Sequence, residues 1–160
     1  MNAESVHIRQ LTQADQQFGM QLHAAVGWNQ TRRDWQRMMD YQPEGCFLAE
    51  WEGELAGTAT TTSYGADLAW IGMMLVRADL RRKGVATALM RRCLDYLSDR
   101  GVATIKLDAS ADGRPVYLKI GFEDEWPINR WLRPGDDSCD GVPTGGEIAE
   151  SSLKFEVQDL

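Results

Sequence analysis

Apolar and polar residues alternate from Val6 to Leu11, the period of a strand with one buried face. Thr12 or Asp15 then caps a helix running to about Val26, which Gly27-Trp28-Asn29-Gln30 breaks. Thr31 caps a second helix from Arg32 to about Tyr41, ended by Pro43-Glu44-Gly45. Two strands, Cys46 to Trp51 and Leu55 to Tyr64, flank Glu52-Gly53-Glu54, whose composition is that of a hairpin turn. Asp67 to Val76 is a third strand of this meander. It is rich in apolar residues on both faces, which predicts a central place in the sheet.

After Val76 the period becomes helical. Val85, Leu89, Cys93, Tyr96 and Leu97 fall on one face of a helix from Val85 to Arg100, while Arg91, Arg92, Asp95 and Asp99 occupy the solvated face. Gly101 stops it. A helix of this length is the usual crossover between parallel strands, so Val102 to Leu107 is expected to run parallel to its predecessor. A short helix from Arg114 or Pro115 to Ile120 precedes a strand from Phe122 to about Leu132, which Pro127 marks as an edge or a bulge. Leu153, Phe155 and Val157 alternate with Lys154, Glu156 and Gln158 as a last strand. This order predicts an α/β (α+β) fold: a mixed, mainly antiparallel sheet of six to seven strands with helices on both faces. At 160 residues, 43% of them hydrophobic, the chain suits one domain, with the acidic, Gly-rich Pro134 to Ser151 as a long loop before the last strand.

Charge changes the picture only once it is located. Of the net −7, −6 lies between Pro134 and Leu160, where seven acids meet only Lys154. The near-neutral body offers no broad basic face, which argues against nucleic acid as a partner. No apolar run approaches the ~20 residues a bilayer span requires, and Met1-Asn2-Ala3-Glu4-Ser5 lacks the basic and apolar regions of a secretory signal. Cys46, Cys93 and Cys139 are odd in number and scattered without metal-ligand spacing, which fits a cytoplasmic compartment and no metal.

The local exception is Arg81-Arg82-Lys83-Gly84-Val85-Ala86, which joins the third strand to the long helix. A basic turn at a helix start, with unpaired N–H groups and the positive end of the dipole, can hold a phosphate or pyrophosphate. Gly84 lets the ligand approach the backbone, and Ala86 keeps the first helical turn thin. Provided φ at Gly84 is negative, a side chain there costs no stability. A nucleoside-triphosphatase loop requires Gly-Lys-Ser/Thr and a dinucleotide fold three glycines; neither is present. The pattern that remains, Arg/Gln-x-x-Gly-x-Gly/Ala, is met by Arg81, Gly84 and Ala86 and resembles the acetyl-CoA signature of the GNAT superfamily of N-acetyltransferases. Downstream, Gly113-Arg114-Pro115-Val116-Tyr117-Leu118-Lys119-Ile120-Gly121-Phe122 resembles that family's later motif, a short helix carrying tyrosine and closing in Gly-Phe before a strand. The resemblance extends from Val6 to Leu160.

It implies a GNAT fold and an acetyl-CoA-dependent N-acetyltransferase that works by direct transfer in a ternary complex. The acceptor would carry an amine, as a small molecule or a peptide. The resemblance implies cofactor contacts from the backbone of Met74, Leu75 and Val76, and from Arg81, Arg82, Lys83, Gly84, Val85, Ala86 and Thr87. It implies a further contact from Ser110, which stands where the family often has asparagine. Tyr117 is implied as the acid that protonates the departing thiolate. Asp67, Asp108 and a water chain all stand as candidates for the general base. Trp28, Asn29 and Trp35 are candidates for an acceptor wall, with Trp126 and Trp131 opposite, and the acidic loop suits a cationic amine. A homodimer is compatible with the pattern. Two readings from other classes stay open: a CoA-binding regulatory module without turnover, and a noncatalytic assembly subunit.

Overall fold

Two Thr-x-x-Asp boxes start the helices of the N-terminal part. In the computed structural model, which describes residues 6–130 and 148–156, Asp15 accepts from both the N–H and the hydroxyl of Thr12, each at 2.8 Å. This closes a box around a 3-10 turn, Gln13–Asp15, between β1 (Val6–Gln10) and α1 (Gln16–Ala25). The expected helix is therefore entered in two steps. Asp34 repeats the device on Thr31, at 2.7 Å for both bonds, and starts α2 (Arg32–Tyr41).

β2 (Cys46–Trp51) and β3 (Glu54–Tyr64) meet at Glu52 and Gly53, with φ of 51° and 84°. Two successive left-handed residues give the hairpin the twist its strands require. β4 (Leu68–Val76) comes next, then α3 (Val85–Asp99), β5 (Thr104–Ala109), α4 (Arg114–Leu118), β6 (Glu123–Arg130) and β7 (Ile148–Glu156). The seven strands take the hydrogen-bonding order β1-β2-β3-β4-β5-β7-β6, with β4 and β5 parallel. The pairs β1–β2, β2–β3, β3–β4 and β6–β7 are antiparallel.

Several expected boundaries move. The fifth strand starts two residues later than expected, because Gly101 (φ 71°) and Val102 close the preceding helix through bonds to Ser98 and Leu97. The last strand begins at Ile148, so residues 148–151 of the expected loop pair with β6 instead. The rest of that loop, residues 134–147, lies outside the described residues, as do residues 131–133 and Val157. β4 does not bury both faces equally: Ala69, Ile71, Met73 and Leu75 are buried and the residues between them half-buried. α4 stops at Leu118, two residues short of the expected end. Pro127 lies on the last strand in the order, β6, whose register with β7 slips between Asp124 and Trp126.

The chain groups into two compact units, residues 1–106 with 156–160, and residues 107–155. In the first, β2 shows the layering. Phe47 turns to α3, its ring 5.7 Å from Tyr96 and edge-on to it. Its neighbours Cys46 and Leu48 turn the other way and pack with Trp35 and Met39 of α2, Leu11 and Met73. Helices thus cover both faces of this sheet. Leu89, Cys93 and Leu97 of α3 are fully buried, as its apolar stripe requires. The second unit centres on three aromatic rings: Phe122 lies 6.2 Å from Tyr117 and 5.3 Å from Phe155.

Candidate functional site: the turn between β4 and α3

The chain leaves β4 through a fixed corner. Arg77 donates from its backbone to Ala56 and from its guanidinium to Leu55, and grips Asp79 at 2.7 and 2.8 Å. That grip holds the Asp79 carboxyl down at about 2. Leu80, at the end of a 3-10 turn, is buried and anchors the basic turn to the core. Arg81, Arg82 and Lys83 are all exposed. Lys83 leans over the Trp51 ring, its ammonium 5.3 Å from the centroid.

Arg82 and Gly84 both take left-handed backbone, φ 62° and 87°. For Gly84 the condition of a negative φ is therefore not met: a side chain there is strained whatever the space around it. The space is ample, since a Cβ would meet nothing within 4 Å. Gly84 is the N-cap of α3, and the first helical bond runs from the Ala88 N–H to its carbonyl. The N–H groups of Val85, Ala86 and Thr87 therefore precede the helical ladder. Val85 is buried, and Ala86 and Thr87 are half-buried. Three clustered cations, three N–H groups at a positive helix end and open room above a glycine fit an anion such as a pyrophosphate.

β4 carries a second feature. Its ladder with β5 pairs Leu68 to Trp70 with Thr104 to Lys106 and then stops, so among the described residues Ile71 to Val76 have no partner on that edge. On the other edge the register with β3 slips between Thr58 and Thr60, and Met73 has φ 48°. This is a β-bulge in the middle of a strand. In the sequence only Gly72 hints at it, and Met73 and Met74 continue the apolar run without a break. Met74, Leu75 and Val76, the expected backbone contacts, all lie on the unpartnered stretch.

Of the residues expected at the acceptor side, Trp28 is half-buried and Asn29 exposed, in the link between α1 and α2. Trp35 is fully buried in the core, its ring against Gly19, so it is no open wall. Trp126 is exposed on β6, and Trp131 lies outside the described residues. Asp67 is exposed at the start of β4, nine strand residues from the basic turn, roughly 30 Å away at the rise of a strand. Asp108 is exposed on β5.

In the second unit, Tyr117 is buried against Phe122 and against Gly113, where a Cβ would fall 2.9 Å from the ring. The Phe122 N–H returns to the Tyr117 carbonyl at 3.1 Å. Ser110 is engaged locally: its carbonyl and hydroxyl accept from the Gly113 N–H, and its carbonyl also accepts from Arg114 at the start of α4.

Two exclusions sharpen the chemistry. Burial pushes the Cys46 thiol up to about 12 and that of Cys93 higher still, so neither is a poised nucleophile. A cavity of about 640 Å³, lined by Tyr41, Gln42, Ser63, Gly65, Ala66, Arg100 and Val102, sits at the C-terminal end of α3. There the helix dipole disfavours anions, and the 15 residues of α3 put it about 22 Å from Gly84. Among the described residues, no cluster of three or more His, Cys, Asp and Glu side chains could hold a metal ion, and no helix is long and apolar enough to cross a membrane.

Residues 9–122 match the model of the acetyltransferase (GNAT) family, and the chain belongs to that family. An uncharacterized N-acetyltransferase of Methanocaldococcus jannaschii is 25% identical over 105 residues, 60% of this chain and 46% of that protein. The mycothiol acetyltransferase of Streptomyces coelicolor is 33% identical over 86 residues, 51% of this chain and 28% of that protein. The chain thus spans less than half the length of these curated relatives. In fold it is similar to Naa50 of Arabidopsis thaliana, solved with the bisubstrate analogue CoA-Ac-MVNAL: TM-score 0.74, 15% identity, 95% of this chain and 99% of that one.

Proposed function

We propose that the chain is a single-domain, acetyl-CoA-dependent N-acetyltransferase acting on a primary amine by direct attack. The observation that carries this reading is the turn before α3, with three exposed cations and three N–H groups ahead of the helical ladder. Arg81, Arg82, Lys83 and Gly84, with the backbone of Val85, Ala86 and Thr87, would hold the pyrophosphate. Met74, Leu75 and Val76 would align the pantetheine arm along the free edge of β4, as an added strand would lie. Ser110 would supply a weaker contact, since its polar atoms already serve α4.

Bound acetyl-CoA supplies an acetyl thioester: the amine nitrogen bonds to the carbonyl carbon, the carbon–sulfur bond breaks and the sulfur leaves as a thiolate. The chain's part is to orient the acyl group with backbone N–H donors and to move two protons, one off the amine and one onto the sulfur. Tyr117 is assigned the second transfer. The high thiol pKa values at Cys46 and Cys93 favour direct attack over an acyl-cysteine route.

Trp28 and Asn29 are assigned to the acceptor. A relative named for mycothiol and a neighbour solved with a peptide-bearing analogue support an amine acceptor, small or peptidic.

Two measurements test the reading. At about a hundred times its dissociation constant, CoA should add roughly 2.7 kcal/mol, a Tm rise of about 5 to 10 °C that ATP and NAD do not produce. A panel of amines, scored by release of the CoA thiol, then identifies turnover. A CoA-induced shift with no thiol release on any amine would favour a regulatory module. No shift with any CoA species overturns the acyltransferase reading.

A further inference from the structure

The bulge in β4 is held by one side chain. Thr58, on β3 and fully buried, donates its hydroxyl to the Met73 carbonyl at 2.9 Å. Thr58 pairs with Leu75 and Thr60 with Gly72, so three steps along β4 answer two along β3. The extra step falls where Met73 adopts φ 48°, a backbone that residues with side chains rarely take without support from their surroundings.

The fold makes room for this contact. At Gly57 a Cβ would fall 2.7 Å from the Leu75 carbonyl, so the two backbones approach more closely than a larger residue allows. The next hydroxyl, on Thr60, is engaged with the Met38 sulfur at 3.5 Å and does not substitute at the bulge.

The peptide joining Met73 to Met74 is planar and trans, so its C=O and N–H point in opposite directions. Thr58 draws the carbonyl toward β3. The Met74 N–H is thereby turned away from β3, toward the edge of β4 where the β5 ladder has already ended.

We infer that Thr58 is a positioning residue for the acyl donor: by gripping the Met73 carbonyl it aims the Met74 N–H at the edge along which the donor's acyl arm lies. The inference rests on the acetyltransferase reading above. It assigns to a side chain of β3, which need not touch the ligand, control over a backbone donor of β4.

The test compares Thr58→Val, which keeps the shape and removes the hydroxyl, with Thr58→Ser, which keeps the hydroxyl. One readout needs no ligand: the resonance and hydrogen exchange of the Met74 amide should change in the valine variant and stay near the original in the serine variant. In turnover on a verified amine, kcat/KM should fall about ten-fold for valine and return to within about two-fold for serine, as expected when a single oriented donor is lost. A folded valine variant with an unchanged Met74 amide and unchanged kcat/KM overturns the inference, as does a lowered Tm with kcat/KM intact. Should the valine variant fail to fold, Thr58→Ala against Thr58→Ser decides, and equal behaviour of the two overturns it. Absence of acetyl-CoA binding by the unmodified chain overturns the acetyltransferase reading and the positioning role with it. That result is distinct from normal acetyl-CoA binding by both proteins with an unchanged kcat/KM in the valine variant, which overturns the positioning role alone.

Discussion

Arg9 grips Asp15 through two parallel bonds, Nη1 to Oδ2 and Nη2 to Oδ1, each 2.8 Å, while its Nε reaches Glu50 at the same distance. One guanidinium thus ties β1 both to the corner before α1 and to β2. Two-point pairing of this kind fixes orientation as well as proximity, which a lysine cannot do.

Acid should loosen that corner. The bond from Arg9, with further bonds from the Thr12 N–H and hydroxyl, holds the Asp15 carboxyl at about 2, against an ordinary 3.8. The folded value is the depressed one, so the stabilisation is complete above about pH 4 and is lost as pH falls toward 2. Asp15→Asn should cost on the order of 1–2 kcal/mol at pH 7 and flatten the acid limb of stability. Urea melts of both proteins at pH 7 and pH 3 check this, and an unaltered acid limb in the variant would remove the carboxylate from the account.

Gly84 separates strain from ligand loss. Its φ of 87° means that any side chain there must adopt left-handed backbone, at about 1–2 kcal/mol for most residues and less for asparagine. Gly84→Asn should keep most of the stability. Gly84→Glu should lower Tm by several degrees and also abolish the shift induced by CoA, because it adds a negative charge to the turn. Thermal melts with and without CoA decide the matter; a glutamate variant that still responds to CoA places the ligand elsewhere.

Tyr117→Phe keeps the ring against Phe122 and Gly113, so ring packing and acetyl-CoA affinity should change little. If the hydroxyl delivers the proton to the leaving sulfur, turnover falls by ~10² to 10⁴. Unchanged turnover on a verified amine would leave Tyr117 as a packing residue and pass proton delivery to water.

Gly19→Ala tests how tightly α1 and α2 are packed. Alanine is the better helix former by about 1 kcal/mol. Its Cβ, however, would stand 2.8 Å from two ring atoms of Trp35, which is fully buried and has nowhere to retreat. Overpacking of this kind costs about 1–3 kcal/mol, so Tm should fall. A rise in Tm would show that the Trp35 ring yields.

The features legible in the chain are those that residues near one another decide. Thr31 and Asp34 cap α2 within a single turn, and α2 begins and ends where the caps put it. The stripe from Val85 to Leu97 is buried as its period requires. The basic turn is readable because its charges are consecutive. The bulge is not, because it is a mismatch between β3 and β4 and exists only once Thr58 has met Leu75 and Thr60 has met Gly72. Trp35, taken with its chain neighbours alone, is free to line a surface; its burial comes from Gly19 of α1 and from Cys46 and Leu48 of β2, elements remote in the chain. The start of β7 is hidden because residues 148–151 carry little alternation, and their pairing with β6 makes them a strand.

The free edge of β4 has a consequence for handling the protein. Ile71 to Val76 is an uncharged, wholly apolar hexapeptide apart from its glycine, and its ladder toward β5 is unfilled among the described residues. Such a stretch is chemically a template for a foreign strand. Arg77, paired with Asp79, stands at its end as a charged gatekeeper. A ligand lying along this edge, as proposed for the acyl donor, would then act as a plug against self-association, and the colloidal lifetime of the protein in solution would track its occupancy.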